Sequence, residues 1–160
     1  MPNTPRKILV RNYNSEDLTD IKKILTEYIS PTDRVWDNNM VEAFISDALR
    51  EQPDGVFVAE LDGKVAGFAA VIFRDWQNIA YLDYIQVKTS EMRKGVGHNL
   101  IEKCINWSKM KGARIVYTET DRNNERAIEF YKKHGFQITG YIPEYYRKGL
   151  DAVILVRKLG

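Results

Sequence analysis

The sequence predicts an α+β domain with a mixed, mostly antiparallel sheet and about four flanking helices. Three observations lead there. Residues Val56 to Val87 read as three successive strands joined by tight turns, the first turn being Asp62-Gly63. From Gly95 onward, helical periodicity alternates with short apolar runs. The 160 residues carry no repeat, low-complexity tract or linker, so residues 1–160 are expected to form one domain.

Taken in order, Lys7–Tyr13 reads as a short strand. Leu18, Ile21, Leu25, Tyr28 and Ile29 then recur at helical steps, with Asn14 or Ser15 as cap and Pro31 as stop. A second helix spans about Asp37–Gln52, where Met40/Val41, Phe44/Ile45 and Ala48/Leu49 form one apolar stripe. Val56–Leu61, Lys64–Phe73 and Ile79–Val87 are the strands of a meander. A helix from about Gly95 to Lys111 carries Val96, Leu100, Ile101, Cys104, Ile105 and Ser108 on one side and stops at Gly112. Strand Arg114–Thr120, helix Asn124–His134, strand Phe136–Tyr141, a loop and strand Ala152–Leu159 complete the chain.

Composition excludes several classes. At 44% hydrophobic with 18 aromatic residues (Trp 3, Tyr 9, Phe 6), the chain is not disordered. Twenty-four Lys and Arg against 22 Asp and Glu leave a formal charge of +2, which gives nucleic acid no electrostatic footprint. No apolar run approaches the roughly 20 residues of a membrane helix. The polar start Met1–Lys7 shows no signal peptide. Cys104 is the lone cysteine, so an internal disulfide is excluded; with only His98 and His134 beside it, no metal site is expected. A cytoplasmic protein is the expectation.

Two segments can carry chemistry. Arg93-Lys94-Gly95-Val96-Gly97-His98 lies between a strand and an amphipathic helix. Glycines at a helix start let backbone N–H groups approach an anion, and the helix dipole favours it. The same residues also read as a tight turn with solvated basic side chains. A dinucleotide fingerprint would want Gly or Ala where Leu100 stands, and the Gly-Lys-Ser/Thr of a P-loop is missing. In the second segment Asn124, Ala127, Ile128 and Tyr131 share a helical face. That face reads as a cleft wall, or as a capped helix with a core tyrosine.

Together these segments resemble the GCN5-related N-acetyltransferase (GNAT) superfamily. Asn124-x-x-Ala127-x-x-Phe130-Tyr131-x-x-x-Gly135-Phe136 matches the superfamily signature Asn-x-x-Ala-x-x-Phe/Leu-Tyr-x-x-x-Gly-Phe. The phosphate-loop consensus, Gln/Arg-x-x-Gly-x-Gly/Ala, is met at Gly95 and Gly97, but Met92 stands at the Gln/Arg position. Val10-Arg11-Asn12-Tyr13, followed by Asp17-Leu18 and Ile21, is similar to the superfamily's first strand and helix. The resemblance implies a GNAT fold, in which the parallel strands Ile79–Val87 and Arg114–Thr120 splay apart. It implies acetyl-CoA as cosubstrate, without a metal: pyrophosphate on Arg93, Lys94, Gly95, Val96, Gly97 and His98, pantetheine against Ile85 and Val87, and Asn124 helping to hold it. The Ile85 N–H would polarise the acetyl carbonyl, a neutral amine would attack directly, and Tyr131 would assist the leaving thiolate.

The amine must lose a proton. Glu119, five residues before Asn124, is the first choice as base because Thr118–Asn124 resembles the Glu-Val-Arg-x-x-Asn stretch of bacterial ribosomal-protein N-terminal acetyltransferases. Tyr81 is the second choice: it lies four before Ile85, so simple alternation would point both the same way. Asp83 is the third. His134 is read as a helix end and Cys104 as packing. Tyr145 and Tyr146 resemble the tyrosines that wall the peptide groove of protein N-terminal acetyltransferases. The expected acceptor is therefore a protein or peptide N-terminal α-amine. The alternatives are a small-molecule or amino-acid amine, and a non-catalytic acyl-CoA-binding module suggested by Met92. A monomer or homodimer is expected.

Overall fold

Short-range signals place the element ends. Strand β1 (Ile8–Asn12) leads to Asn14, whose side chain accepts from the Glu16 N–H at 3.0 Å. The Asp17 carboxylate takes the Asn14 N–H in return at 2.8 Å. This reciprocal cap starts a 3-10 turn, Ser15–Asp17, that runs into α1 (Leu18–Glu27). Asp37 caps α2 (Asn38–Glu51) by accepting from Met40 N–H. Strands β2 (Val56–Leu61) and β3 (Lys64–Arg74) meet at Asp62 (φ 50°) and Gly63 (φ 85°), the two left-handed residues a tight hairpin requires. After β4 (Ile79–Val87), α3 (Val96–Lys111) ends on left-handed Gly112. Strand β5 (Ile115–Asp121), α4 (Glu125–Lys133), β6 (Gln137–Arg147) and β7 (Leu150–Lys158) follow.

The computed structural model describes residues 4–28, 30 and 35–160. Ile29 and Pro31, expected at the end of the first helix, and the first three residues of the polar start lie outside the described residues. No helix among the described residues is long and apolar enough to cross a membrane.

The strands form one mixed sheet in the order β1-β2-β3-β4-β5-β7-β6. All neighbours are antiparallel except β4 and β5. One face is covered by α3 and α4: Val96, Leu100, Ile101, Cys104 and Ile105 pack on Phe57, Ala69, Val71 and Leu82. Ile21, Ile24 and Leu25 of α1 and Val41 and Ile45 of α2 cover the other face, against Val58 and Phe68. Cys104 is fully enclosed, and burial pushes its thiol up to about 12, consistent with packing.

The expected loop after Tyr141 is instead hairpin. Strand β6 continues to Arg147 and turns through Lys148 and left-handed Gly149 into β7. Pro143 is tolerated because β6 is an edge strand, where a missing N–H breaks no ladder on its open side. Glu144 takes φ 51°, and the pairing slips between Ile142 and Arg147.

Arg11 ties β1 to its surroundings. It donates twice to Asp17, at 2.8 and 2.9 Å, and once to Glu60 at 2.8 Å. Burial of Asp17 opposes ionisation, but Arg11 and the Asn14 N–H outweigh it and hold the carboxyl below its ordinary value. Its stabilisation is therefore present above about pH 4 and is lost as pH falls through the lowered value. Arg11→Ala, which strands a buried carboxylate, should cost about 2 kcal/mol in urea unfolding at pH 7. The deficit should shrink as the unfolding is repeated toward pH 3.

Candidate active site

The site begins where two strands stop pairing. β4 and β5 are matched only from Ile79–Tyr81 to Ile115–Tyr117. One residue further, Thr118 Oγ1 donates to the Leu82 carbonyl at 2.9 Å, closing the paired stretch. Beyond it lies a cleft of about 780 Å³ bordered by Asp83–Val87, Thr118–Asp121 and the start of α4.

A bulge decides what β4 offers this cleft. Val71 pairs with Leu82 but Ala70 pairs with Tyr84, so Asp83 is an extra residue. The Val71 N–H goes to Gly55, away from β4, while the Leu82 carbonyl faces β5. At the other end the Lys88 N–H returns to Ala66 of β3 at 2.7 Å. Alternation back from Lys88 turns the main-chain groups of Val87 and Ile85 toward the gap, where the Val87 carbonyl already accepts from Gln86 Nε2 at 2.9 Å. The bulge also overturns the expectation that Tyr81 and Ile85 point the same way. Ala80 and Leu82 face the α3/α4 core before it, Ile85 and Val87 after it, and Tyr84 packs with the α1/α2 core. Tyr81 therefore shares its face with Tyr84.

On the α3 side, Gly95 (φ 93°) precedes the helix and offers no side-chain cap, so the first-turn amides keep their donor capacity. Gly97 is also a packing constraint, because an added Cβ would lie 3.2 Å from the Phe130 ring. Arg93, in the left-handed region at φ 63°, lines the cleft with Gly95, Gly97 and His98. Lys94 and Val96 do not line it. The Lys94 ammonium pairs with Glu91 at 2.8 Å, and the Val96 side chain is buried in the core, leaving only its amide at the helix start. Met92 receives Arg126 Nη1 at 3.4 Å from its sulfur, which brings a second guanidinium to the cleft wall. Uncapped amides, a glycine path and unpaired strand edges fit an elongated phosphate-bearing ligand.

The opposite face holds a shared carboxylate. Glu119 Oε1 accepts from Tyr81 at 2.5 Å and from Tyr145 at 3.3 Å. Burial, then Glu119, push the Tyr81 hydroxyl well above its ordinary value. Tyr81 is thus a donor to Glu119 and holds its proton. Tyr145 and Tyr146 meet edge-on, with ring centres 4.9 Å apart, and both line the cleft. Asp83 is raised to about 6, first by burial and then by Glu119 and Glu51, against a smaller pull from Arg74.

Tyr131 and Asn124 lie across the gap. Tyr131 is 7% exposed, so the core reading and the cleft reading are both met. Burial raises its hydroxyl, with Thr118 pulling the other way, so it stays protonated. Asn124 Oδ1 caps α4 by accepting from the Ala127 N–H at 3.2 Å, which leaves its amide NH₂ for a ligand. His134 follows the last residue of α4 as expected, and its ring also meets His98 at 3.0 Å. Sequence reading missed the aromatic wall of Tyr28, Trp36, Phe44 and Tyr84. Trp36, Phe44 and Tyr84 are mutually edge-on at 5.6–5.8 Å. Tyr28, Phe44 and Tyr84 fall on apolar helix and strand patterns that read as ordinary core, and Trp36 stands before the second helix, outside any such pattern.

Residues 18–136 match the Acetyltransferase (GNAT) family. The chain is 31% identical over 127 residues to an N-alpha-acetyltransferase of Sulfurisphaera tokodaii, covering 72% of this chain and 76% of that one. It is 30% identical over 114 residues to a streptothricin acetyltransferase of Streptomyces lavendulae, covering 65% of this chain and 60% of that one. Among solved structures, Ard1 from Thermoplasma volcanium superposes with a TM-score of 0.82 at 25% identity, over 96% of this chain and 98% of that one. The chain belongs to the GNAT family and is an N-acetyltransferase, in a family whose acetyl donor is acetyl-CoA.

The Asp83 carboxyl gives the site a test by titration. In carboxyl-carbon NMR, Asp83 should titrate with a midpoint near pH 6, and Glu119→Gln should move that midpoint down by removing the neighbouring charge. Because the folded value is raised, Asp83 contributes stability at acidic pH that is lost as pH rises through about 6.

Proposed function

We propose that this enzyme acetylates the α-amine of a protein or peptide N-terminus by direct transfer. One observation carries the reading: Tyr145, from the exposed β6–β7 hairpin, and Tyr81, from the sheet, converge on a single oxygen of Glu119. A rim that can hold a peptide backbone is thereby joined to a base at the floor. Aromatic rims suit that task, offering apolar walls and hydroxyl donors together. The relationship to the S. tokodaii N-alpha-acetyltransferase supports the same acceptor.

Acetyl-CoA, when bound, supplies an activated acetyl thioester. The first-turn amides of α3, with Arg93 and His98, hold its phosphates. Ile85 and Val87 turn main-chain groups toward its arm, and the Ile85 N–H is the donor assigned to the acetyl carbonyl. Tyr131, kept protonated by burial, donates to the sulfur, and the Asn124 amide helps fix the ligand. Glu119 receives the proton of the incoming ammonium. Two hydroxyl donors on Oε1 orient the carboxylate, so Oε2 is the oxygen offered to the amine.

A small-molecule amine is the second reading, favoured by the streptothricin acetyltransferase relationship and by the aromatic wall of Trp36, Phe44 and Tyr84. The two readings separate kinetically. For a peptide acceptor, Tyr145→Ala should mainly raise KM for peptide and leave acetyl-CoA binding intact, while Glu119→Gln should lower kcat about 10²–10⁴-fold. Normal peptide kinetics in Tyr145→Ala would move the acceptor to the small amines. Parent turnover in Glu119→Gln would place the base elsewhere, with Asp83 next to test.

Tyr131→Phe keeps the ring and its packing and removes only the hydroxyl. It should lower kcat by roughly 10–10³-fold, with the melting temperature nearly unchanged. Full activity would assign Tyr131 to the core alone.

A further inference from the structure

Resting on the assignment of α3's first turn to the phosphates, we propose that His134 is a positioning residue that makes His98 a phosphate donor only when the pair carries an extra proton. The His134 ring has Nδ1 2.8 Å from the Phe130 carbonyl and Nε2 3.0 Å from His98 Nδ1. A carbonyl only accepts, so the hydrogen of neutral His134 sits on Nδ1 and its Nε2 is an acceptor. His98 must then carry its own hydrogen on Nδ1 to make the bridge. Its Nε2, the nitrogen left for a ligand, is a bare lone pair that repels a phosphate oxygen.

Counting hydrogens makes the switch explicit. The neutral pair has two N–H hydrogens, and both are committed: one to Phe130 and one to the bridge. A third hydrogen goes to His98 Nε2, wherever the bridging proton lies, and turns that edge into a charged donor. Without the bridge, neutral His98 would be free to place its hydrogen on Nε2 at any pH. His134 thus ties phosphate binding to the number of protons the pair carries.

The placement suits that role. His98 lies one residue after Gly97 and lines the cleft, while His134 is 9% exposed and held by packing with Phe130, ring centres 4.6 Å apart. The charged groups around the pair are Glu102 of α3, Lys133 of α4 and Arg157 of β7, which line a small hollow beside both rings. Arg157 donates to the His134 carbonyl at 2.8 Å and approaches Glu102 at 3.7 Å. Arg93 and Arg126 face the ligand side. The surroundings carry more positive than negative charge, so a bound phosphate is the partner that favours the third hydrogen.

The test is acetyl-CoA binding by calorimetry between pH 7 and 8.5 in two buffers of different ionisation enthalpy. Here the phosphates, with a second pKa near 6, stay ionised. The parent should take up a measurable fraction of a proton on binding, and its affinity should fall by up to about tenfold per pH unit. His134→Phe, which keeps a ring and breaks the bridge, should reduce both the uptake and the slope. His98→Gln, with a donor of fixed charge, should abolish them. His134→Glu, an acceptor that cannot donate, should move the fall to higher pH. A purely structural His134 would change affinity without changing proton uptake. No uptake in the parent, or parent uptake in His134→Phe or His98→Gln, overturns the proposal. Gly97→Val separates the two levels. If it binds acetyl-CoA like the parent, the phosphate assignment fails and this inference with it. If it keeps the parent's fold by circular dichroism but loses binding, while His98→Gln keeps full uptake, the phosphate assignment stands and only the histidine coupling falls.

Discussion

The site depends on how main-chain hydrogen bonds are distributed along one strand. Every interior residue of a sheet must place an N–H and a carbonyl, and a strand in mid-sheet normally spends them on two neighbours. β4 does so for only three residues on its β5 side. A side-chain hydroxyl, Thr118, then terminates the pairing, and the strands part. The parting leaves polar main-chain groups in a sheet interior, a cost that a ligand able to replace the missing strand would offset. The extra residue at Asp83 determines which groups are left. Were the strand straight, counting on from Leu82 would turn Ile85 into β3, not toward the gap.

The same gap joins the two faces of the sheet. On one, α3 and α4 pack through Leu100, Ile101, Ile128 and Tyr131, bringing an uncapped helix start to the cleft. On the other, α1 and α2 support the aromatic group of Trp36, Phe44 and Tyr84. Glu119 belongs with Tyr81 and Tyr117, whose stacked rings lie 4.9 Å apart beside the last parallel pairs. A donor from one face and an acceptor from the other can meet only where the strands have separated. Cleft geometry and sheet topology are therefore one constraint, and the buried side chains of both cores fix its width.

Much of this was legible in the chain. Asp62-Gly63, Gly112 and the cap at Asn14 fixed ends because each is a local backbone requirement. The glycine loop and the Asn124–Phe136 segment announced the cleft because their residue types and spacings are contiguous. What failed to show needed information from elsewhere in the fold. The Asp83 bulge has no glycine to mark it, and period-two counting runs straight through it. Tyr81, Glu119 and Tyr145 come from three strands, and their convergence is set by how those strands lie in the sheet, which no single segment shows. The histidines stand 36 positions apart and read separately as a loop residue and a helix end. The β6 extension was obscured by Pro143, which argues against a central strand but not against an edge.

That edge has a second consequence. A strand with one open side is a template for further strands from other molecules, and β6 exposes Tyr141, Ile142 and Tyr145 along it. Pro143 withholds a donor in the middle of this run, and Glu144 bends the chain through the left-handed region beside it, with the pairing slipping at the same point. At the opposite margin, β1 is only five residues long, and its Arg11 is held inward by two carboxylates. Both margins thus carry features that disfavour edge-to-edge pairing. At one of them the guard is built into the hairpin whose tyrosines rim the cleft, so replacing Pro143 with a β-forming residue would restore a donor to the open edge at the expense of colloidal stability.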